Sequence, residues 1–199
     1  AALLSNDVQL IENVQANLVA QFKANKDLAV FEKMSNRYMF LYTDHRDTSP
    51  FVTDKAGKPL DRNPLKDVRV REAISKLIDR TTLTDKVLDK LGVPNANPAP
   101  PGMFGHNPSL NPDVFDPAKA KKLLGDAGYP DGFGITLFGP NDRFINDEQV
   151  LQAIGQMLTR GGIVTKVQTQ PVASYIPKAA RKELGLGVLG WGVGGGEPA

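Results

Sequence analysis

Residues 135–169 read ITLFGPNDRFINDEQVLQAIGQMLTRGGIVTKVQT, and two periodicities alternate within them. Ile135 to Phe138 and Ile163 to Thr169 are short runs of β-branched and apolar residues, the composition of strands. Between them, Asn146 to Arg160 sets Val150, Leu151, Ile154, Met157 and Leu158 at helical spacing. Asn146 is the expected cap, with Gln149 three residues on, and Gly161-Gly162 is the expected stop. Strands alternating with helices indicate a layered α/β domain.

The same punctuation recurs upstream. Asp67 caps a run whose stripe is Val70, Ala73, Ile74, Leu77 and Ile78. Leu83, Val87, Leu88 and Leu91 repeat the pattern after Thr81, and Gly92 stands where a left-handed residue would end that helix. Asp116 caps a third helix with Pro117 at its first position, Leu123 and Leu124 buried, and Gly128 as the stop. An earlier helix over about Gln15 to Ala24 turns Leu18, Val19 and Phe22 inward. Further strands are expected at Val8 to Ile11, Leu28 to Lys33, Tyr38 to Tyr42 and Gly185 to Trp191. Two polar or proline-rich stretches, 43–64 and 93–115, interrupt the alternation and read as long surface excursions.

The chain of 199 residues is 41% hydrophobic, enough for one substantial core. Its 24 Lys and Arg against 22 Asp and Glu leave a charge of +2 without basic blocks, so no nucleic-acid footprint is visible. With no cysteine, disulfides, thiolate metal sites and thiol nucleophiles are excluded. No apolar run approaches the roughly 18 residues of a membrane span. Ala1 to Asn6 reads as the last turn of a helix and 194–199 as a turn after a strand, so a piece of a longer protein is expected.

Four ordered motifs carry a family resemblance. They are Asp67-Val68-Arg69-Val70-Arg71-Glu72-Ala73-Ile74 through Ile78-Asp79-Arg80, then Pro100-Pro101-Gly102-Met103, then Asp116-Pro117-Ala118-Lys119-Ala120-Lys121-Lys122-Leu123-Leu124, and last Ala127-Gly128-Tyr129-Pro130-Asp131-Gly132-Phe133. In order and spacing they resemble the peptide/nickel/glutathione class (family 5) of ABC-transporter solute-binding proteins. The resemblance covers nearly the whole chain. It implies a periplasmic-binding-protein-like lobe with a mixed sheet flanked by helices, residues 1–199 being a single lobe without the first. It also implies a periplasmic location, a small-molecule or peptide-like solute held in a cleft between lobes, and an ABC permease in the inner membrane as partner. No cofactor is implied.

Two loops carry the candidate ligand-binding residues. Asn141, Arg143 and Phe144 lie after a strand and before a long helix, where open α/β sheets place ligands. By resemblance Arg143 matches an arginine that pairs with a ligand carboxylate, for which a planar guanidinium is suited; its plain alternative is a solvated loop arginine. Trp191, Gly192 and Gly194 follow the last apolar strand, where glycines let backbone groups approach a ligand. In peptide-binding relatives this turn bears an aspartate for the free amino group, and its position here falls on Gly194. A free dipeptide is therefore a doubtful ligand, with Glu197 or Asp142 as substitutes the spacing does not favour. Tyr38, Tyr42 and Phe144 either wall the cleft or pack the core. His45 and His106 are too few and too scattered for a transition-metal site.

An enzyme finds no support. There is no Gly-x-Ser-x-Gly elbow and no phosphate-binding loop, and the carboxylates Asp126 and Asp131 are explained by a helix end and a turn. The alternative to solute capture is a protein-interaction or chaperone-like module that binds extended polypeptide through the proline-rich stretch. A hydrolase working through His45 is the third option.

Overall fold

Asp67 does what its position predicts. In the computed structural model, which describes residues 2–12, 14–33 and 35–192, its carboxylate accepts the Arg69 backbone N–H at 2.9 Å and starts α2 (Val68–Leu77). Val70, Ala73, Ile74 and Leu77 are all buried. The Arg69 guanidinium chelates the same carboxylate and holds it at about 2, below the ordinary 3.8. Helix α4 (Pro117–Asp126) packs on α2 and is capped by Asp116 at the Lys119 N–H. Gly128 then takes φ 92° and lets Tyr129 N–H close on the Leu124 carbonyl.

Helices and strands meet around β3 (Phe133–Pro140), the centre of a five-stranded sheet. One edge of β3 pairs in parallel with β4 (Ile163–Gln170), from Phe133 opposite Ile163 to Pro140 opposite Gln170. The other edge is shared. Antiparallel β2 (Val52–Thr53) takes Ile135 and Gly134, while parallel β5 (Leu186–Gly192) takes only Leu137 and Phe138. Strand β1 (Arg37–Tyr42) runs antiparallel along β5, from Arg37 opposite Gly192 to Tyr42 opposite Gly187. The sheet is mixed, as the resemblance implies.

Alternation along β3 divides the core. Phe133, Ile135 and Leu137 join α2, α4 and α5 (Asp147–Arg160) in the main cluster with Leu151, Leu158 and Ile163. Phe138 faces the other way and packs with Tyr175 of α6 (Val172–Ala180) and Leu184. Helices therefore flank both faces of the sheet.

Several expectations need correction. Val8 to Ile11 and Leu28 to Lys33 form no strand; they find no ladder partner, and Leu10 and Phe31 stand exposed. An apolar run without a neighbouring strand has nowhere to place its backbone hydrogen bonds. The second helix is only α3 (Arg80–Thr82) running into a π-helical turn at Leu83–Val87. The left-handed residues that end it are Asp89 (φ 49°) and Lys90 (φ 64°), not Gly92. At the first helix, α1 (Ala16–Ala24), Ala16 and Phe22 are the buried residues.

The stretch 43–64 crosses the surface at 45–48 and 55–59 and contributes β2, whose Val52 is fully buried. Buried Asn63 ties it down, its amide donating to the Asp44 and Arg46 carbonyls at 2.8 and 3.1 Å. In 93–115 the Asn97 side chain clamps the backbone of Asn107 in both directions, and exposed Phe104 lies within the loop so closed.

A pH test follows from Asp67. Replacing it by alanine removes an N-cap and lowers stability by about 1 kcal/mol at neutral pH. Because the folded-state value is depressed, the charged form's contribution is present above the ordinary value and fades as pH falls from about 4 to about 2. Urea melts across that window are expected to show the gap between native protein and Asp67→Ala narrowing; a constant gap would contradict the charged cap.

Candidate functional site

The turn between β3 and α5 begins at Pro140, which has no N–H to extend the ladder. The loop that follows is held from several sides. The Asn141 N–H donates to the Gln170 carbonyl at the end of β4, and the Asp142 carboxylate accepts the Val172 N–H at the start of α6, 2.7 Å away. Asp147, only 5% exposed, accepts the backbone N–H groups of Arg143 at 2.9 Å and Phe144 at 3.1 Å on one oxygen, and that of Glu148 at 2.9 Å on the other. Asn146 is not the side-chain cap expected of it. It is left-handed (φ 53°), and its amide donates instead to the Val87 carbonyl at 2.8 Å.

The Phe144 ring reaches across to β5. A Cβ added at Gly190 would stand 2.5 Å from its Cζ, so glycine is what lets the ring lie against the strand. Loop and strand together wall a hollow of about 300 Å³. Arg143, Phe144 and Pro140 form one side, Val188, Leu189 and Gly190 another, and Val172, Tyr175 and Ile176 of α6 the base. Because β5 pairs with β3 only through Leu186 and Gly187, its backbone from Val188 onward presents a strand edge to this hollow.

Tyr175 is fully buried and fixes the base: its hydroxyl donates to the Val188 carbonyl at 2.9 Å and lies 3.3 Å from the Tyr42 hydroxyl. Burial pushes the Tyr175 phenol far above its ordinary value, so it stays a neutral donor. A larger hollow of about 430 Å³ lies at the amino end of β3, where Arg62 stacks over Tyr129. Two of the acids lining it are engaged, Asp47 by Lys66 and Asp67 by Arg69. The hollow at the carboxyl end is the better ligand candidate, since open α/β sheets bind there.

Of the residues expected from sequence, Arg143 and Phe144 line this hollow. Exposed Asn141 contributes its backbone to the loop anchor and does not line the hollow. Trp191, 51% exposed, sits opposite Tyr38 on the face of β5 opposite to that of Gly190, and Gly192 sits opposite Arg37; neither lines the hollow. Gly194 lies outside the described residues. His45 meets Thr43 Oγ1 at 2.8 Å and His106 meets the Ala99 carbonyl at 2.9 Å, both local bonds. Sequence reasoning missed Asp147, for which an acid in the first turn of α5 was the available signal, and missed Val172, Tyr175 and Ile176 because α6 itself was not expected.

Comparison with known proteins identifies the family. The description "Bacterial extracellular solute-binding proteins, family 5 Middle" matches residues 1–199. Heme-binding protein A of Haemophilus influenzae is 31% identical over 151 residues, which are 74% of this chain and 26% of that protein. A glutathione-binding protein of Salmonella choleraesuis is 32% identical over 188 residues, 92% of this chain and 33% of that protein. The chain thus spans between a quarter and a third of the length of these relatives. The crystal structure of a dipeptide-binding protein from Pseudoalteromonas sp. SM9913 in complex with Met-Leu superposes with a TM-score of 0.75 at 18% identity, over 99% of this chain and 36% of that one, a likeness of fold. By sequence over its whole length, the chain belongs to the family 5 bacterial extracellular solute-binding proteins.

Proposed function

We propose that residues 1–199 form one lobe of a periplasmic solute-binding protein, which captures a small anionic or peptide-like solute beside Arg143 and delivers it to an ABC permease in the inner membrane. The observation that carries this reading is the contact of Phe144 with Gly190. It joins the Arg143 loop to the end of β5 around one open hollow at the carboxyl end of the sheet.

The chemistry follows from the walls. Arg143 is the one charged side chain among the described residues lining the hollow, so it suits a carboxylate or another planar anion. Phe144, Val172 and Ile176 suit an apolar body, and the open edge of β5 offers backbone groups to an extended ligand. Next to the hollow, the β1–β5 ribbon carries half-exposed Trp191 with Met39 and Phe40. Such apolar surface suits the position where a first lobe meets this one. The domain acts by binding, with closure of the two lobes over the solute as the signal to the permease. Asp142 accepts the Val172 N–H on one oxygen and does not line the hollow, so it is not placed to meet a ligand amine there.

The test uses the full-length protein. Titration calorimetry against short peptides, glutathione, opines, sugars and metal chelates is expected to find a carboxylate ligand. Arg143→Ala is then expected to weaken it about tenfold or more, the value of a lost charge-assisted pair. Unchanged affinity in Arg143→Ala would remove the site, and binding of unfolded polypeptide alone would favour a chaperone-like module.

A further inference from the structure

Arg143 is exposed at the rim of the hollow, and the backbone beneath it is tied to a buried carboxylate. Two successive N–H groups, those of Arg143 and Phe144, converge on one carboxylate oxygen of Asp147, and Glu148 N–H takes the other. Asp147 is 5% exposed, and its carboxylate faces backbone donors at 2.9 to 3.1 Å. It also substitutes for the absent side-chain cap at Asn146, whose left-handed conformation turns its own amide away to Val87. Two N–H vectors fixed on one acceptor set the directions in which the next two side chains leave the chain. One is Arg143, at the rim of the hollow; the other is Phe144, against Gly190.

We infer that Asp147 is a positioning residue for solute capture: its buried carboxylate holds the Arg143 and Phe144 backbone so that the guanidinium is aimed at the ligand before the ligand arrives. The assignment rests on the reading of this hollow as the solute site. Asp147 touches no solute itself. Its role is to remove conformational freedom that binding would otherwise have to remove, which is how rigid sites gain affinity. Asparagine has nearly the same size but only one acceptor oxygen, so in Asp147→Asn the amide NH2 must face either the Glu148 donor or both the Arg143 and Phe144 donors.

The decisive experiment is a double-mutant cycle in the full-length protein, titrated with glutathione and with di-, tri- and tetrapeptides. Asp147→Asn is expected to weaken binding about tenfold, mostly through faster dissociation, at temperatures well below its melting midpoint. In an Arg143→Ala background the same substitution is expected to cost clearly less, because the guanidinium it aims is gone and only Phe144 is left to misplace. In parallel, amide hydrogen exchange at Arg143 and Phe144 is expected to rise about tenfold in Asp147→Asn, while Val150 to Leu158 in α5 stay protected. If Asp147→Asn lowers the midpoint but leaves affinity and the two amides unchanged, Asp147 is a helix cap and the inference fails, with the solute site intact. Equal losses in both backgrounds would overturn it in the same way. If Arg143→Ala binds like the native protein, the site itself is wrong and the inference falls with it.

Discussion

Gly132→Ala is expected to lower the melting midpoint of this domain by roughly 10 °C or more, or to prevent its folding. Gly132 has φ 80°, where an alanine is strained, and it lies where β3 begins beside β4. An added Cβ would overlap the carbonyl oxygen of Gly162 and stand 2.8 Å from its carbonyl carbon. The obstacle is backbone, so no side chain can swing aside, and relief requires the two parallel strands to separate at their start. Steric conflict of that kind belongs to the class that exceeds about 4 kcal/mol, and for a domain of this size each kcal/mol moves the midpoint by about 2–4 °C. Gly57→Ala is the control: Gly57 also has positive φ (90°), but nothing lies within 4 Å of its Cβ position, so only the strain of about 1 kcal/mol applies. Calorimetric midpoints for the two variants that coincide would refute the argument from close approach.

The second large effect is at Tyr175. Truncation to alanine empties a fully buried site between α6 and the sheet and is expected to remove about 3–5 kcal/mol. Tyr175→Phe keeps the ring and loses the bond to the Val188 carbonyl, for about 1–2 kcal/mol. The two variants also separate by pH. Tyr175 titrates above its ordinary 10.0 in the folded state, so the stability from burying the neutral phenol is complete below pH 10 and declines as pH rises beyond it, where the unfolded chain ionises first. Tyr175→Phe is expected to flatten that alkaline decline, leaving the smaller part due to Tyr42, whose hydroxyl is raised by the same burial. Denaturant melts at about pH 8 and about pH 10.5 decide the matter; an alkaline decline unchanged in Tyr175→Phe would place its origin elsewhere.

Much of the architecture was legible where residue type and backbone need coincide. Asp67 and Asp116 cap, Gly128 and Gly162 turn left-handed, and the stripes of α2, α4 and α5 face the core, because each depends on neighbours a few residues away. Long-range pairing was not legible in the same way. Residues 28–33 have the look of a strand and find no partner, whereas Val52 and Thr53, too short to signal anything, find β3. Helix α6 escaped notice because Pro177 lies inside it, beyond the first turn in which a helix accommodates proline. The hollow was half legible. Arg143 and Phe144 are where an open sheet's ligand loop is expected, while nothing in the sequence separates Asp147 from any other acid in a helix's first turn, and Tyr175 belonged to an unrecognised helix.

The loop at 141–146 draws its anchors from the end of β4, the start of α6, the first turn of α5, the carbonyl of Val87 and the glycine of β5. These segments are spread over about a hundred residues of chain, so no fragment of the sequence can organise this wall by itself. This wall therefore forms at the final, cooperative step of folding rather than piecemeal. A chain still being assembled presents no half-formed version of it.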